Sequence, residues 1–203
     1  MSDSRKTWED RWEGSEIHER ITPVGRMMFC AKKRVLTEAM GGLEARTVLE
    51  VGCGLGHTLR VFKELGYEAS GIDIAPSAVA VCKRKGLTAA LKAVEDTEGA
   101  YDLVSSDGML EHFLNFEPPA RHLMRLSSRY VLLIQPNHGS FMGLTAAFLA
   151  TLLRGHENVF EYNYRIKDFA DVFEKNGFRM IRSEPIFMDV FRLLVFKRSD
   201  PTP

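Results

Sequence analysis

The sequence predicts a doubly wound α/β fold in which a mostly parallel, seven-stranded sheet ends in a C-terminal antiparallel hairpin strand. Short apolar segments alternate along the chain with segments of helical periodicity, the order that builds parallel βαβ units. The run YVLLI at residues 130–134 is apolar throughout, as in a strand buried on both faces. The last two strand-like segments, 179–186 and 190–197, have no helix between them, which indicates a hairpin.

Glycine and proline mark where the predicted elements begin and end. Gly66, Gly86 and Gly177 each follow a helical segment, at the position where a left-handed residue closes a helix. Pro76 opens a helical segment, where its missing N–H costs no hydrogen bond. Pro185 is expected to break the chain between the last two strands. The helices are predicted over residues 24–40, 58–65, 76–85, 120–126, 141–154 and 167–176, and the remaining strands over residues 47–51, 68–74, 87–93 and 101–105.

The composition favours a single domain spanning residues 1–203. Apolar residues make up 45% and charged residues 27% of the chain, which allows one sizeable hydrophobic core. Lys plus Arg and Asp plus Glu number 27 each, so no net field attracts a nucleic acid, and none is expected as a partner. The three cysteines lack C-x-x-C spacing, which predicts reduced thiols and no metal site. A monomer or homodimer is expected.

Two features predict a cytoplasmic protein with no transmembrane segment. The N-terminal MSDSRKTW is polar and lacks the apolar core of a signal peptide. The longest apolar stretch, residues 141–153, is shorter than the roughly 20 residues that a membrane helix needs.

The segment VLEVGCGLGH at residues 48–57 carries the first functional signal. Its three alternating glycines suit a tight strand-to-helix turn, but the third, Gly56, comes one place earlier than in the dinucleotide fingerprint. Glu50 would repel a pyrophosphate and attract an ammonium or sulfonium group. Asp73 follows roughly 20 positions later, the spacing at which an acid takes ribose hydroxyls. The turn therefore predicts a positively charged nucleoside that carries no phosphate.

Five segments, in order along the chain, carry a family resemblance. They are VLEVGCGLG at 48–56, ASGIDIAPSAV at 69–79, YDLVSSDGMLEHF at 101–113, YVLLIQPN at 130–137 and DFADVFEKNGFRMI at 168–181. Together they resemble the motifs of the class I S-adenosylmethionine-dependent methyltransferases, of the small-molecule, quinone-biosynthesis-like type. The resemblance implies a Rossmann-like methyltransferase fold, an enzyme, and S-adenosyl-L-methionine as its cofactor.

The resemblance also implies a set of cofactor-binding residues. Glu50 would hold the turn and, indirectly, the amino group of the cofactor, while Asp73 would take both ribose hydroxyls. Ile74 would cover one adenine face, although a plain core position suits it nearly as well. The family often has an Asp before Ala93, but this chain has Lys92, which cannot accept a hydrogen bond from the adenine amino group. The implied set is Glu50, Gly52, Gly54, Gly56, Asp73, Ile74, Ala93, Val94, Ser106 and Asp107.

The sequence also offers candidates for a general base. Methyl transfer from a sulfonium depends mainly on alignment, because the leaving group is already activated. Where the acceptor must lose a proton, His138 after strand five is the preferred base, and His112 in LEHF serves catalysis or local structure. His156 is expected in a solvated loop. Asp107 lies either beside the methionyl group or at the cap of the next segment.

Two flanking segments are candidates for closing the site. Residues 1–42 are predicted as a helical lid or flank in which Trp8 and Trp12 face one way; packing against the edge of the sheet is the alternative. Residues 139–166 contain an apolar helix, predicted as a core or dimer helix or as a cap over an apolar or aromatic acceptor, with Phe148 in that cap.

The function predicted from these observations is S-adenosylmethionine-dependent O-, N- or C-methylation of a small molecule. One alternative is a non-catalytic protein of the same fold that binds S-adenosylmethionine or S-adenosylhomocysteine. Another is a nicotinamide oxidoreductase, which would bind NADH instead. The identity of the acceptor does not follow from the chain.

Overall fold

The computed structural model of the chain describes residues 2–12, 23–145 and 161–199. The helices are α1 (Ser2–Trp12), α2 (Pro23–Met40), α3 (His57–Glu64), α4 (Pro76–Arg84), α5 (Glu117–Leu126) and α6 (Ile166–Lys175), with a short 3-10 helix at Leu110–His112. The strands are β1 (Thr47–Val51), β2 (Glu68–Asp73), β3 (Ala89–Leu91), β4 (Tyr101–Asp107), β5 (Ser127–Pro136), β6 (Phe178–Ile186) and β7 (Phe191–Arg198).

All seven strands join one sheet in the order β3-β2-β1-β4-β5-β7-β6. Strands β1 to β5 are parallel, and β7 runs antiparallel between β5 and β6. The chain order reverses between β1 and β4, which is the point where doubly wound folds bind ligands beyond the carboxyl ends of their strands. The predicted doubly wound, mostly parallel sheet with its antiparallel C-terminal strand is confirmed.

Helices cover both faces of the sheet because successive strand residues point to opposite sides. On one face, Leu36 of α2 and Phe62 of α3 pack in a buried cluster with strand residues such as Leu132. On the other face, Leu123 of α5 and Phe173 of α6 belong to a second cluster that includes residues of β1, β4, β5 and β7. These two layers fix the carboxyl edge of the sheet as a rigid platform.

Several element boundaries and the role of one proline differ from the prediction. β3 is shorter than the predicted residues 87–93, and as an edge strand it pairs with β2 alone. β4 is longer than predicted, because pairing with β5 continues to Asp107. The predicted break at Pro185 is wrong: this residue pairs with Arg192 inside β6, an edge strand where a missing N–H is tolerated.

The apolar segment of residues 139–166 is described only at its ends. Residues 141–145 are helical, as predicted, whereas Phe148 and His156 lie outside the described residues. Among the residues that are described, no helix has the length and apolar character needed to cross a membrane.

Candidate cofactor and acceptor site

A glycine turn connects β1 to α3 at the carboxyl edge of the sheet. Gly52, Gly54 and Gly56 have φ of 71°, 47° and 74°, a left-handed backbone that favours glycine. A Cβ built on Gly56 would lie 2.5 Å from Leu87 Cδ1 and 2.9 Å from Cys82 Sγ. This glycine is therefore required for the packing of the turn against its neighbours, a role that the sequence did not predict.

Asp73 at the end of β2 is tied to this turn. Its Oδ2 accepts a hydrogen bond from the Gly54 N–H at 2.8 Å, and its Oδ1 accepts one from the Ala75 N–H at 2.9 Å. Burial raises the pKa of the Asp73 carboxyl, and the two backbone N–H groups oppose that rise. Each carboxylate oxygen has a second lone pair, so the side chain can also accept hydrogen bonds from ribose hydroxyls.

Glu50 lies inside the sheet next to the turn. It is 2% exposed, it pairs with Ser105 across β1 and β4, and its Oε2 has no hydrogen-bond partner. The Ser105 hydroxyl is also buried without a partner. Burial raises the pKa of Glu50 well above its usual value, and the nearby charge of Asp107 adds to the rise. Unpaired buried oxygens at this position fit a cofactor that brings its own hydrogen-bond donors and positive charge.

Asp107 is held by an ion pair rather than serving as a cap. Both of its carboxylate oxygens accept hydrogen bonds from Lys32 Nζ at 2.8 Å, and Oδ2 accepts another from Thr58 Oγ1 at 2.6 Å. The helix-cap alternative is therefore wrong, because the carboxylate links α2 and α3 to the end of β4. Its neighbour Ser106 is fully buried and donates its hydroxyl to the Val51 carbonyl oxygen, so it joins β4 to β1.

The residues predicted to surround the adenine lie on the chain directly after Asp73 and in the loop after its partner strand β3. Ile74 is half-buried, and the loop after β3 carries Ala93, which is half-buried, and Val94, which is buried. Lys92 is exposed and donates its backbone N–H to the Asp73 carbonyl oxygen at 3.0 Å. Ile74 and the loop of Ala93 and Val94 thus share one side of the site and carry apolar side chains. The position at which the family often has an Asp is occupied by Lys92.

Helix α1 lies across the same edge of the sheet. The Trp12 ring would be 3.2 Å from a Cβ on Gly54, and the Trp8 ring packs edge-on against His112 with ring centroids 4.9 Å apart. Glu9 Oε2 accepts hydrogen bonds from the Ser77 N–H and hydroxyl, at 3.1 and 3.0 Å, at the first turn of α4. This placement agrees with the predicted lid, and the lid function itself stays a prediction.

The segment after β4 contributes a buried acid that sequence patterns did not single out. Glu111 is 4% exposed, and its Oε2 has no hydrogen-bond partner. Burial raises its pKa to about 8. Its Oε1 lies 4.0 Å from Nε2 of His112, a ring that also contacts Trp8. The predicted base His112 therefore lies between an aromatic ring and a carboxyl group.

The end of β5 provides the last group of polar side chains. His138 is half-buried, and its Nε2 is enclosed without a hydrogen-bond partner. Gln135 is fully buried, and neither its amide nitrogen nor its amide oxygen has a partner. Within the described part of the chain, all the buried side-chain atoms that lack a partner belong to β1, β4, β5, the 3-10 helix after β4 or the turn after β5: Glu50, Ser105, Glu111, Gln135 and His138.

These features describe an α/β protein whose glycine turn is bordered by carboxylates and lies beside the switch point of the sheet, where doubly wound folds bind nucleotides and nucleosides. A family model described as a methyltransferase domain matches residues 24–183. The chain therefore belongs to the methyltransferase-domain family.

Curated relatives resemble the chain over part of their length. The ubiquinone biosynthesis O-methyltransferase of Bordetella avium is 36% identical over 87 residues, which cover 38% of this chain and 36% of that protein. The ajmaline N-methyltransferase of Rauvolfia serpentina is 30% identical over 105 residues, covering 46% and 36%. The chain thus matches little more than a third of either relative.

Solved structures share the fold over nearly the whole chain. The magnesium protoporphyrin IX methyltransferase of Synechocystis PCC 6803, solved with bound SAH, has a TM-score of 0.77 at 20% identity, over 98% of this chain and 99% of that one. The 1,6-didemethyltoxoflavin-N1-methyltransferase of Burkholderia thailandensis has a TM-score of 0.70 at 14% identity, over 98% and 90%. At these identities the likeness concerns the fold.

Proposed function

We propose that this chain transfers a methyl group from S-adenosyl-L-methionine to a small-molecule acceptor bound beside the carboxyl ends of β4 and β5. One observation carries the proposal. The Gly54 N–H donates to Asp73 at the end of β2, and the paired residues Glu50 of β1 and Ser105 of β4 carry buried, unpaired oxygens at the switch point of the sheet. Such a site suits a cationic nucleoside and disfavours a pyrophosphate.

Each predicted cofactor residue has a role in this arrangement. Asp73 accepts hydrogen bonds from the ribose hydroxyls while it holds the turn, and Gly52 and Gly54 let the backbone approach the methionyl part. Glu50 supports the amino group from beneath the turn, and Asp107 keeps its ion pair with Lys32. The adenine is flanked by the half-buried Ile74 and by the loop of Ala93 and Val94, with Ser106 holding β4 in place. When bound, the cofactor supplies an activated methyl group on a sulfonium.

His138 is the proposed base on the acceptor side. Its buried Nε2 has no hydrogen-bond partner among the residues that the structure describes, so it is available for a proton from an acceptor hydroxyl or amine. His112 is the second candidate, and its contacts with Trp8 and Glu111 fix the position of its ring. Alignment and exclusion of water by α1 account for the remaining catalytic effect.

Several observations support a small molecule as the acceptor. Lys plus Arg and Asp plus Glu number 27 each, so the chain has no net positive charge that would attract the phosphates of a nucleic acid. The relatives' names refer to ubiquinone biosynthesis, ajmaline and 1,6-didemethyltoxoflavin.

We also propose one domain over residues 1–203, with residues 139–166 as acceptor cap, acting in the cytoplasm as a monomer or homodimer. Its three free cysteines suit a reducing compartment.

Calorimetry with S-adenosylmethionine, S-adenosylhomocysteine and NADH tests the cofactor assignment. We expect both adenosyl ligands to bind the wild-type protein and NADH not to bind. Asp73→Ala should weaken binding of the adenosyl ligands at least tenfold, while the same change at the exposed Asp96 leaves it unchanged. Transfer of labelled methyl to phenols, amines or acids then separates an enzyme from a protein that only binds. Tight NADH binding without adenosyl binding would refute the proposal.

A further inference from the structure

Gln135 is a buried polar residue whose amide forms no hydrogen bond with the described part of the chain. The side chain is fully buried, and both of its amide atoms lack partners. Its cross-strand neighbour Arg192 directs its guanidinium to Asp189 and Ser183 instead. A buried amide without partners costs stability, so an apolar side chain of the same shape would suit the fold better.

The position of Gln135 connects it to the proposed acceptor site. It lies on β5 three residues before His138, on the same face as the buried Leu133. The Gly108 N–H donates to the Ile134 carbonyl oxygen at 2.9 Å, so the chain leaving β4 still runs alongside β5 at the residue before Gln135. That chain continues directly into the 3-10 helix that contains Glu111, and this helix lies against β5.

The groups at this end of β5 define the chemistry of a ligand. Gln135 offers one amide oxygen as acceptor and an NH₂ group as donor, and it carries no charge. Glu111 has an unpaired oxygen on the 3-10 helix that lies against β5, and burial raises the pKa of its carboxyl to about 8, which keeps it largely protonated at neutral pH. A hydroxyl group also donates and accepts, so it can pair with both of these neutral groups without leaving a charge buried.

We propose that Gln135 is a specificity-determining residue that hydrogen-bonds the hydroxyl group of an uncharged, hydroxyl-bearing acceptor. This inference rests on the proposed function and names the class of its acceptor. The unpaired amide lowers the stability of the free protein, and its hydrogen bond to the ligand offsets this loss on binding. Removing the polarity of Gln135 should therefore weaken acceptor binding without lowering the stability of the protein. A residue with a purely structural role would not show this combination.

The test uses Gln135→Met, which keeps the length of the side chain and removes its polarity. Binding of catechol is measured by calorimetry with S-adenosylhomocysteine present, and the melting temperature is measured without ligand. We expect the variant to melt at the same or a higher temperature, to bind S-adenosylhomocysteine as the wild type does, and to bind catechol at least tenfold more weakly. Loss of one hydrogen bond to a buried group corresponds to about that factor.

Two control variants separate polarity from packing. Leu133→Met introduces methionine on the same strand and face, and it should leave catechol binding unchanged. Asn176→Leu removes an amide whose nitrogen donates to the Val172 carbonyl oxygen at 2.7 Å, and it should lower the melting temperature.

Three outcomes overturn the inference. Gln135→Met could bind catechol within twofold of the wild type, or it could lose as much stability as Asn176→Leu. Alternatively, the wild-type protein could bind benzoate or benzylamine in preference to catechol, which would rule out an uncharged hydroxyl-bearing acceptor. A wild-type protein that fails to bind S-adenosylhomocysteine would instead refute the proposed function itself, so the two failures are distinguishable.

Discussion

At the scale of single residues, the carboxylates of the site differ in how they are neutralised. Asp107 has Lys32 and Thr58 as hydrogen-bond donors, and Asp73 has two backbone N–H groups. Glu50 and Glu111 each retain one oxygen without a partner. The first pair holds helices and the turn in place, whereas we propose that the second pair receives groups that a ligand brings. Sequence spacing alone does not separate the two kinds of acid.

Glu111 makes the stability of the protein depend on pH. Because burial raises its pKa from 4.5 to about 8, the folded state loses stability as the pH rises through that range, and below it the penalty is absent. Glu111→Gln should therefore stabilise the protein above pH 8 and have little effect near pH 4.5. Each pKa unit corresponds to about 1.4 kcal/mol, so the gain is at most a few kcal/mol.

Urea unfolding of wild type and Glu111→Gln between pH 5 and 9 measures this effect. The same substitution at the exposed Glu98 controls for the loss of one carboxylate. A difference between Glu111→Gln and wild type that stays constant across this range would show that the buried carboxyl does not titrate as expected.

At the scale of elements, the glycine turn combines two different demands on glycine. Gly56 and Gly66 both have a left-handed backbone, with φ of 74° and 88°, but only Gly56 has side chains within 4 Å of the position that a Cβ would take. Gly66→Ala should cost about 1 kcal/mol of unfolding free energy, the backbone penalty alone. Gly56→Ala should cost several kcal/mol or prevent folding, because Leu87 and Cys82 block the new methyl group.

Denaturant unfolding of the two glycine variants gives the comparison, and the soluble yield replaces it where Gly56→Ala does not fold. Equal losses at the two positions would mean that backbone conformation, rather than packing, explains the glycine at position 56.

Helix α1 is the element expected to respond to the cofactor. Trp8 and Trp12 are the two tryptophans of the chain, so tryptophan fluorescence reports this helix alone. In a Trp8→Phe variant, S-adenosylhomocysteine should change the emission of Trp12, since its ring packs on Gly54. Trp12→Ala should weaken the affinity roughly tenfold, as loss of a packed aromatic ring does.

Lys6→Ala on the exposed side of α1 is the matched control for these measurements. Unchanged affinity in Trp12→Ala, together with unchanged fluorescence on binding, would assign α1 to packing against the sheet.

At the scale of the whole molecule, much of the fold could be predicted because its signals are local. Pro76 and Gly86 stand at the two ends of α4, and the apolar run of β5 indicated a buried parallel strand. The predicted break at Pro185 was wrong because a proline is tolerated inside an edge strand. Whether β6 is an edge strand is determined only by the assembled sheet.

The candidate site was predicted less completely, for the same physical reason. The glycine turn and Asp73 follow from motif spacing, and the structure places them in contact. The ion pair of Lys32 with Asp107 joins residues far apart in sequence, and the burial of Glu111 depends on tertiary packing. Gln135 did leave a signal, since it ends an apolar run, yet one polar residue at the end of a strand is usually exposed.

The bonds from Asp73 to the Gly54 and Ala75 N–H groups have a consequence for how a ligand is received. They hold the glycine turn in its binding shape from within the protein, so little loop entropy remains to be lost when the nucleoside arrives. The turn is in this sense preorganised, and under the lid hypothesis the conformational adjustment on binding falls to α1. That hypothesis predicts that association depends on how often α1 opens and that the residence time depends on the contacts that it remakes.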